Sequence, residues 1–76
     1  MDEKVLLSLL TRELELEPED LADEEEISMQ TLPEWDSLAH TRIILALEKA
    51  IGRALPAAEA SQADSLAALL ELVSQP

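Results

Sequence analysis

The chain has 76 residues, no cysteine, a single aromatic residue (Trp35) and sixteen leucines. Such a short chain predicts one domain, residues 1–76, without disulfides or thiolate metal sites, and its composition favours packed helices over a sheet. The formal net charge of −12 argues against nucleic acid as a partner, because that binding needs clustered Lys and Arg. Thirteen of the seventeen acids lie in residues 1–36. This favours partners with basic surfaces, although solubility alone would also explain it.

The hydropathy pattern predicts neither a membrane span nor a secretory signal. The sequence contains no run of about 18 apolar residues and does not begin with a basic and then apolar segment. We therefore expect a soluble, cytoplasmic protein, present as a monomer and without membrane association.

The first half predicts one helix followed by a long connection. Apolar residues at helical spacing indicate a helix from about Asp2 to Leu14, with an inward face of Val5, Leu6, Leu9, Leu10 and Leu14. Pro18 predicts a break, and residues 15–36 form the connection. The residues expected to hold it to the core are Leu16, Leu21, Ile27 and Leu32. Its acidic run, residues 23–26, lacks the glycine and alternating oxygen ligands of a calcium loop, so no metal is expected.

The second predicted helix begins at Asp36 or Ser37 and ends at Ile51, before Gly52. Its predicted core residues are Ile43, Ile44, Leu47, Ala50 and Ile51. A second stripe on another face comprises Leu38, Thr41 and Leu45, with Arg42 alongside. Such a stripe is explained either by docking of a partner or by ordinary packing.

The last third predicts one short helical turn at residues 57–60 and a final helix from about Asp64 to Val73. The final helix would be capped by Asp64 or Ser65, and its apolar residues are Leu66, Leu69, Leu70 and Val73. The predicted fold is therefore all-α.

Ser37 is the candidate site of chemistry. A serine in the first helical turn is usually a cap, but Asp36 already supplies one. The positive helix end would also favour a phosphate ester on the Ser37 oxygen. Asp36, Ser37 and His40 contain the residue types of a hydrolase triad, but Asp36 adjoins the serine and no glycine-rich turn offers an oxyanion hole. His40 is expected to be a solvated helix residue or a partner contact.

Asp64-Ser65-Leu66 repeats the letters of Asp36-Ser37-Leu38 and serves as an internal control. It begins the last helix without a preceding aromatic residue, so its simplest role is capping. The tripeptide alone is thus a weak signal.

Asp36-Ser37-Leu38, followed by residues 39–52 with Ala46-Leu47-Glu48, resembles the acyl carrier and peptidyl carrier protein family. The flanking helices match mainly in pattern. The resemblance implies a small four-helix bundle of acyl-carrier type, with three longer helices, one short turn and a long first loop. It also implies that Ser37 carries phosphopantetheine, attached from coenzyme A by a separate transferase and flanked by Asp36. The protein itself would then not be an enzyme. It would be the tethered substrate of several enzymes.

The resemblance also gives the second stripe a role. In carrier proteins the helix after the serine contacts partner enzymes, here a loading ligase for an acyl or aminoacyl group and downstream acyl-transfer enzymes. The corresponding residues are Leu38, Thr41, Arg42 and Leu45. Many fatty-acid carriers have acids early in this helix, whereas this chain has His40 and Arg42, which argues against general fatty-acid synthesis. Trp35 before the tripeptide also resembles a specialised, stand-alone carrier, for fatty-acid or secondary-metabolite biosynthesis. The alternative is an acidic helical adaptor without a prosthetic group, and a small hydrolase ranks last.

Overall fold

The computed structural model describes residues 2–22 and 26–74. Within these ranges the chain forms a compact set of helices without a strand, so the predicted small all-α bundle is confirmed. The helices are α1 (Glu3–Leu14), α2 (Pro18–Ala22), α3 (Ser37–Ile51), α4 (Ala57–Gln62) and α5 (Leu66–Ser74). The described residues thus form five helices rather than the expected four, and the additional one is α2.

Helix α1 begins where the sequence predicts. The Asp2 carboxylate accepts a hydrogen bond from the Val5 N–H at 3.1 Å, which satisfies a donor that the first helical turn leaves without a partner. The face turned to the core buries Leu6, Leu9, Leu10, Thr11 and Leu14. Val5, which the periodicity placed on that face, is 51% exposed, so its assignment to the core is wrong. It lies in the first turn, at the edge of the buried stripe.

Helix α2 interrupts the connection predicted for residues 15–36. The sequence predicts a break at Pro18, but proline also suits the first position of a helix, where an N–H would have no intrahelical partner. Asp20 Oδ2 accepts a hydrogen bond from the Glu17 N–H at 2.9 Å and so stabilises this helix start. The prediction of an uninterrupted connection is therefore wrong. Leu21 and Leu32 are buried as expected, while residues 23–25 of the acidic run lie outside the described residues.

Helix α3 packs against α1 and carries the candidate site. Its predicted end is confirmed: Gly52 adopts φ 73°, a left-handed conformation that glycine reaches at little steric cost. Ile43 and Leu47 are fully buried, as predicted. Ala50, assigned to the same face, is exposed because it borders an open groove near the helix end instead of a packed neighbour.

The short turn predicted after Pro56 is α4, and α5 packs against both α1 and α4. The buried residues of α5 are Leu66, Leu69, Leu72 and Val73. Leu70, assigned to the buried face, is only half-buried. No helix within the described ranges is both long enough and apolar enough to cross a membrane.

The loop before the candidate site is attached to the start of α5. Ser28 and Ser65 form an isolated antiparallel bridge, and the Leu66 N–H donates a hydrogen bond to the Ile27 carbonyl at 2.8 Å. Ser28 is fully buried. These bonds fix a segment of the first connection against the opposite end of the chain, and Trp35 follows shortly after it.

Candidate functional site

Ser37 is the first residue of α3, but it does not cap the helix. Asp36 precedes it in an extended conformation, and Asp36 Oδ1 accepts a hydrogen bond from the Ala39 N–H at 2.8 Å. Ser37 is exposed, and its hydroxyl takes part in no hydrogen bond within residues 2–22 and 26–74. Because Asp36 occupies the capping position, the Ser37 oxygen is accessible and uncommitted.

The electrostatic setting of Ser37 suits an anionic group. The first turn of α3 contains no acidic residue, so no carboxylate from within the helix offsets the positive charge of its start. The positive end of a helix stabilises a nearby anion by about 0.3–1 kcal/mol when the site is exposed. Asp36 contributes a negative charge at this helix start, and its carboxylate accepts the hydrogen bond from Ala39. A phosphate ester on Ser37 is therefore compatible with the local charge.

Trp35 lies on the buried side of the same helix start and is 2% exposed. Its indole N–H donates a hydrogen bond to His40 Nδ1 at 3.1 Å, and the two rings stack with centroids 5.9 Å apart. His40 Nε2 lies 2.8 Å from the Ala60 carbonyl oxygen. Since Nδ1 accepts from the indole and a carbonyl can only accept, the bonding pattern assigns the neutral tautomer that carries its proton on Nε2.

The expectation for His40 is therefore wrong. The sequence predicts a solvated or partner-contacting histidine, whereas the side chain is buried, with 9% exposure. Its two bonding partners are Trp35, in the segment before α3, and Ala60, in α4, and the imidazole consequently links that segment to α4. Of the two departures from fatty-acid carriers, only Arg42 remains on the surface.

The same bonds argue against a hydrolytic triad. Both ring nitrogens of His40 are engaged with groups other than Ser37. Asp36 bonds to a backbone N–H and does not orient the imidazole. A general base must lie within hydrogen-bond reach of the hydroxyl that it deprotonates, and His40 faces the core while Ser37 faces solvent. These three residues therefore do not form a proton relay in this structure.

The second Asp-Ser-Leu tripeptide has the opposite division of roles. Ser65 Oγ accepts a hydrogen bond from the Ala68 N–H at 3.1 Å, so here the serine caps the helix. Asp64 Oδ2 accepts instead from the Gln30 side chain at 3.1 Å. Ser65 is thus committed to α5, in agreement with the sequence, whereas the equivalent hydroxyl of α3 is not. The identical letters therefore mark a structural cap in one place and a reactive candidate in the other.

The second stripe of α3 is exposed, as its interpretation as a docking surface requires. Leu38 is 75% exposed and Leu45 is 58% exposed, while Thr41 and Arg42 lie on the same open surface. The Thr41 hydroxyl donates to the Ser37 carbonyl oxygen at 3.1 Å, so its methyl group and not its hydroxyl is the feature most available to a partner. The packing alternative for Leu38 and Leu45 is therefore wrong, and their contact with a partner stays a prediction.

The sequence interpretation missed one surface feature, a groove between α1 and α3 that collects basic side chains. Arg42, Lys49 and Arg53 recur at helical spacing along or just beyond α3, and this pattern could have indicated one shared face. The contribution of Arg12 from α1 required the tertiary structure. No group of three or more potential metal ligands was found among the described residues.

Together the fold and the site define a small helical bundle that presents an uncommitted serine hydroxyl at a helix start, followed by an exposed apolar stripe. No protein-family model matches the chain, and no curated protein matches it significantly. Membership of the carrier protein family therefore remains a hypothesis. It rests on the resemblance of Asp36, Ser37 and the helix that follows them.

Proposed function

We propose that this protein is a carrier that holds an acyl or aminoacyl group on a phosphopantetheine arm attached to Ser37. The observation that carries the proposal is the capping of α3 by Asp36, which leaves the Ser37 hydroxyl exposed and uncommitted. The resemblance of residues 36–52 to acyl and peptidyl carrier proteins points to the same atom. An obligatory cap would be a poor attachment point, since modification would remove a bond worth about 1 kcal/mol to the helix.

The residues around Ser37 fit a phosphodiester. The oxygen lies at the positive end of α3, no acid follows it in the first turn, and the surrounding surface is open. Asp36 would remain the cap after modification, because its bond to Ala39 does not involve the serine side chain. When bound, phosphopantetheine supplies a terminal thiol that can hold the cargo as a thioester.

The function of the polypeptide would be delivery. Attachment confines the cargo near each enzyme that binds the carrier, which raises its effective concentration at the active site. Residues Leu38, Thr41, Arg42 and Leu45 would contact the loading ligase and the downstream acyl-transfer enzymes. The phosphopantetheinyl transferase would read Asp36 together with the serine. In this proposal the protein is not itself an enzyme, and it acts as a cytoplasmic monomer.

Mass spectrometry of the apo-protein after incubation with coenzyme A and a broad-specificity transferase tests the proposal. We expect the mass of one phosphopantetheine group to be added to the parent chain and to Ser65→Ala, but not to Ser37→Ala. Ser65→Ala is the matched control, because Ser65 occupies the same place as Ser37 in the second Asp-Ser-Leu tripeptide. No mass gain in the parent, or an undiminished gain in Ser37→Ala, contradicts the proposal.

The alternative is an acidic helical adaptor that binds a partner without a prosthetic group. The exposure of Leu38 and Leu45 supports it equally well, because an adaptor needs the same apolar stripe. The two functions differ at Ser37: an adaptor tolerates Ser37→Ala without loss of activity in the cell, whereas a carrier does not. Substitution of Leu38 by Asp should impair both.

A further inference from the structure

An open groove of about 850 Å³ lies between the end of α1 and the second half of α3. The chain contains five Lys and Arg residues, and four of them line this groove. They are Arg12, Arg42, Lys49 and Arg53. Such a concentration of positive charge is unexpected in a chain of net charge −12, where the acids outnumber the bases by more than three to one.

Two acids also line the groove, and each has a local role. Glu13 lies 3.6 Å from the Arg12 guanidinium, and the Arg12 side chain remains 73% exposed. Glu48 Oε2 accepts a hydrogen bond from the Leu55 N–H at 2.7 Å and thereby holds the segment that follows α3. Neither Arg42 nor Lys49 forms an ion pair within the described residues, so this part of the groove is positive although the chain as a whole has a net negative charge.

The groove is also lined by apolar residues. Leu45 lines it and is 58% exposed. The other apolar residues along it are small: Ala46, Ala50 and Ala54. Small side chains permit the close approach of a second backbone, while one exposed leucine flanked by bases suits an amphipathic segment with apolar and acidic positions. This arrangement matches the recognition mode in which a helix lays its apolar face into a groove.

We propose that this groove binds an acidic amphipathic segment of a partner protein. Arg42 and Lys49 would pair with carboxylates on the segment, and Leu45 would contact its apolar residues. The proposal goes beyond the carrier function, because it adds Lys49 and the α1 side of the groove, states the chemistry of the bound segment, and holds whether or not Ser37 is modified. Arg42 and Leu45 belong both to this groove and to the stripe that follows Ser37. It also differs from the expectation based on net charge, since basic partners would approach the acidic surface elsewhere on the chain.

The overall charge favours an acidic protein segment over nucleic acid in this groove. At physiological salt the field of an exposed charge is largely screened beyond about 8 Å. The bases of the groove can therefore attract a short acidic segment. A long polyanion would extend beyond the groove and be repelled by the acidic surface outside it. Nucleic acid binding also gains its affinity from many phosphate contacts, and four bases around an apolar centre offer few. The open shape likewise differs from the enclosing clefts that bind small ligands.

Selection from a randomised library of helical peptides tests this proposal. The bait is the Ser37→Ala chain, so a failed carrier assignment cannot affect the result. We expect enrichment of peptides with Asp or Glu and with apolar residues at three- and four-residue spacing. Their dissociation constants, measured by calorimetry, should rise about fivefold or more with Arg42→Glu or Lys49→Glu, and also with Leu45→Asp.

Lys4→Glu is the matched control. It makes the same change in net charge on the exposed surface of α1, but Lys4 does not line the groove, and we expect no effect on peptide affinity beyond about twofold. Enrichment of neutral or basic peptides, no enrichment at all, or equal losses with Lys4→Glu and Arg42→Glu would overturn the proposal. Binding of a single-stranded oligonucleotide that competes with the peptides and depends on the same bases would also overturn it.

Discussion

Trp35 donates a hydrogen bond from its indole N–H to His40 Nδ1 at 3.1 Å, and the two rings stack behind the start of α3. The Nε2 of the same imidazole lies 2.8 Å from the Ala60 carbonyl oxygen, so His40 connects the segment before Ser37 to α4. The candidate attachment residue thus faces solvent, while Trp35, two positions before it, and His40, three positions after it, are buried. The buried Trp35 and His40 hold the start of α3 in place, and this suits Ser37 to recognition by other proteins.

We predict that His40→Ala lowers the free energy of unfolding by about 2–5 kcal/mol. The substitution leaves the buried indole N–H and the Ala60 carbonyl without their partner, and each unsatisfied group costs about 1–3 kcal/mol. Urea unfolding followed by Trp35 fluorescence measures the change. Thr41→Ala, at the next position but exposed, is the control and should stay within about 1 kcal/mol of the parent. Equal stability of His40→Ala and the parent would contradict the assigned bonds.

Replacement by alanine should reduce stability at Ser65 but leave it nearly unchanged at Ser37. Ser37→Ala should change the free energy of unfolding by less than about 0.5 kcal/mol, because its hydroxyl makes no hydrogen bond within the described residues. Ser65→Ala should cost about 1 kcal/mol, because it removes the cap of α5. Thermal unfolding of both variants beside the parent gives the comparison. A larger loss for Ser37→Ala would mean that Ser37 supports the helix.

Substitutions at Asp36 separate its capping role from its proposed recognition by the transferase. Asp36→Asn should preserve the fold, because the asparagine side chain can still accept the hydrogen bond from Ala39, whereas Asp36→Ala should cost about 0.5–2 kcal/mol. If the charge is recognised, Asp36→Asn will be modified more slowly at unchanged stability. The measurement is the initial rate of phosphopantetheine transfer. An unchanged rate for Asp36→Asn would remove Asp36 from the proposed recognition surface.

Leu45 and Leu47 test which face of α3 is buried and which is exposed. Leu47 is fully buried, and Leu47→Ala should cost about 2–5 kcal/mol through lost packing and the cavity left behind. Leu45 is 58% exposed, and Leu45→Ala should stay within about 1 kcal/mol of the parent. Chemical unfolding of both variants provides the test. Similar losses for both would show that the outward stripe also packs.

The sequence predicted those features that depend on local patterns. The three long helices follow from apolar residues at helical spacing, and their ends from Asp2, Asp36 and Gly52, which act within one turn of their own position. The second apolar stripe of α3 was recognised for the same reason, although its spacing left docking and ordinary packing as alternatives. The start of α2 also depends on a local feature, Pro18. The prediction failed there because proline is compatible both with a break and with the first position of a helix.

The sequence failed where burial depends on distant partners. His40 is buried because Trp35 and Ala60 lie on either side of it, and Ala60 is twenty positions further along the chain. Ala50 has core periodicity but no neighbour that covers it, because a groove opens there. That groove joins Arg12 of α1 to the bases of α3, a proximity that exists only after the two helices pack.

The most direct test of the central claim is to locate the added group after the transferase reaction. Trypsin cleaves after Arg12 and Arg42 but has no site between them, so Ser37 falls in the peptide 13–42 and Ser65 in the peptide 54–76. Attachment to Ser37 predicts one phosphopantetheine group on peptide 13–42, lost in Ser37→Ala, and none on peptide 54–76. An unmodified chain, or the group on peptide 54–76, would contradict it.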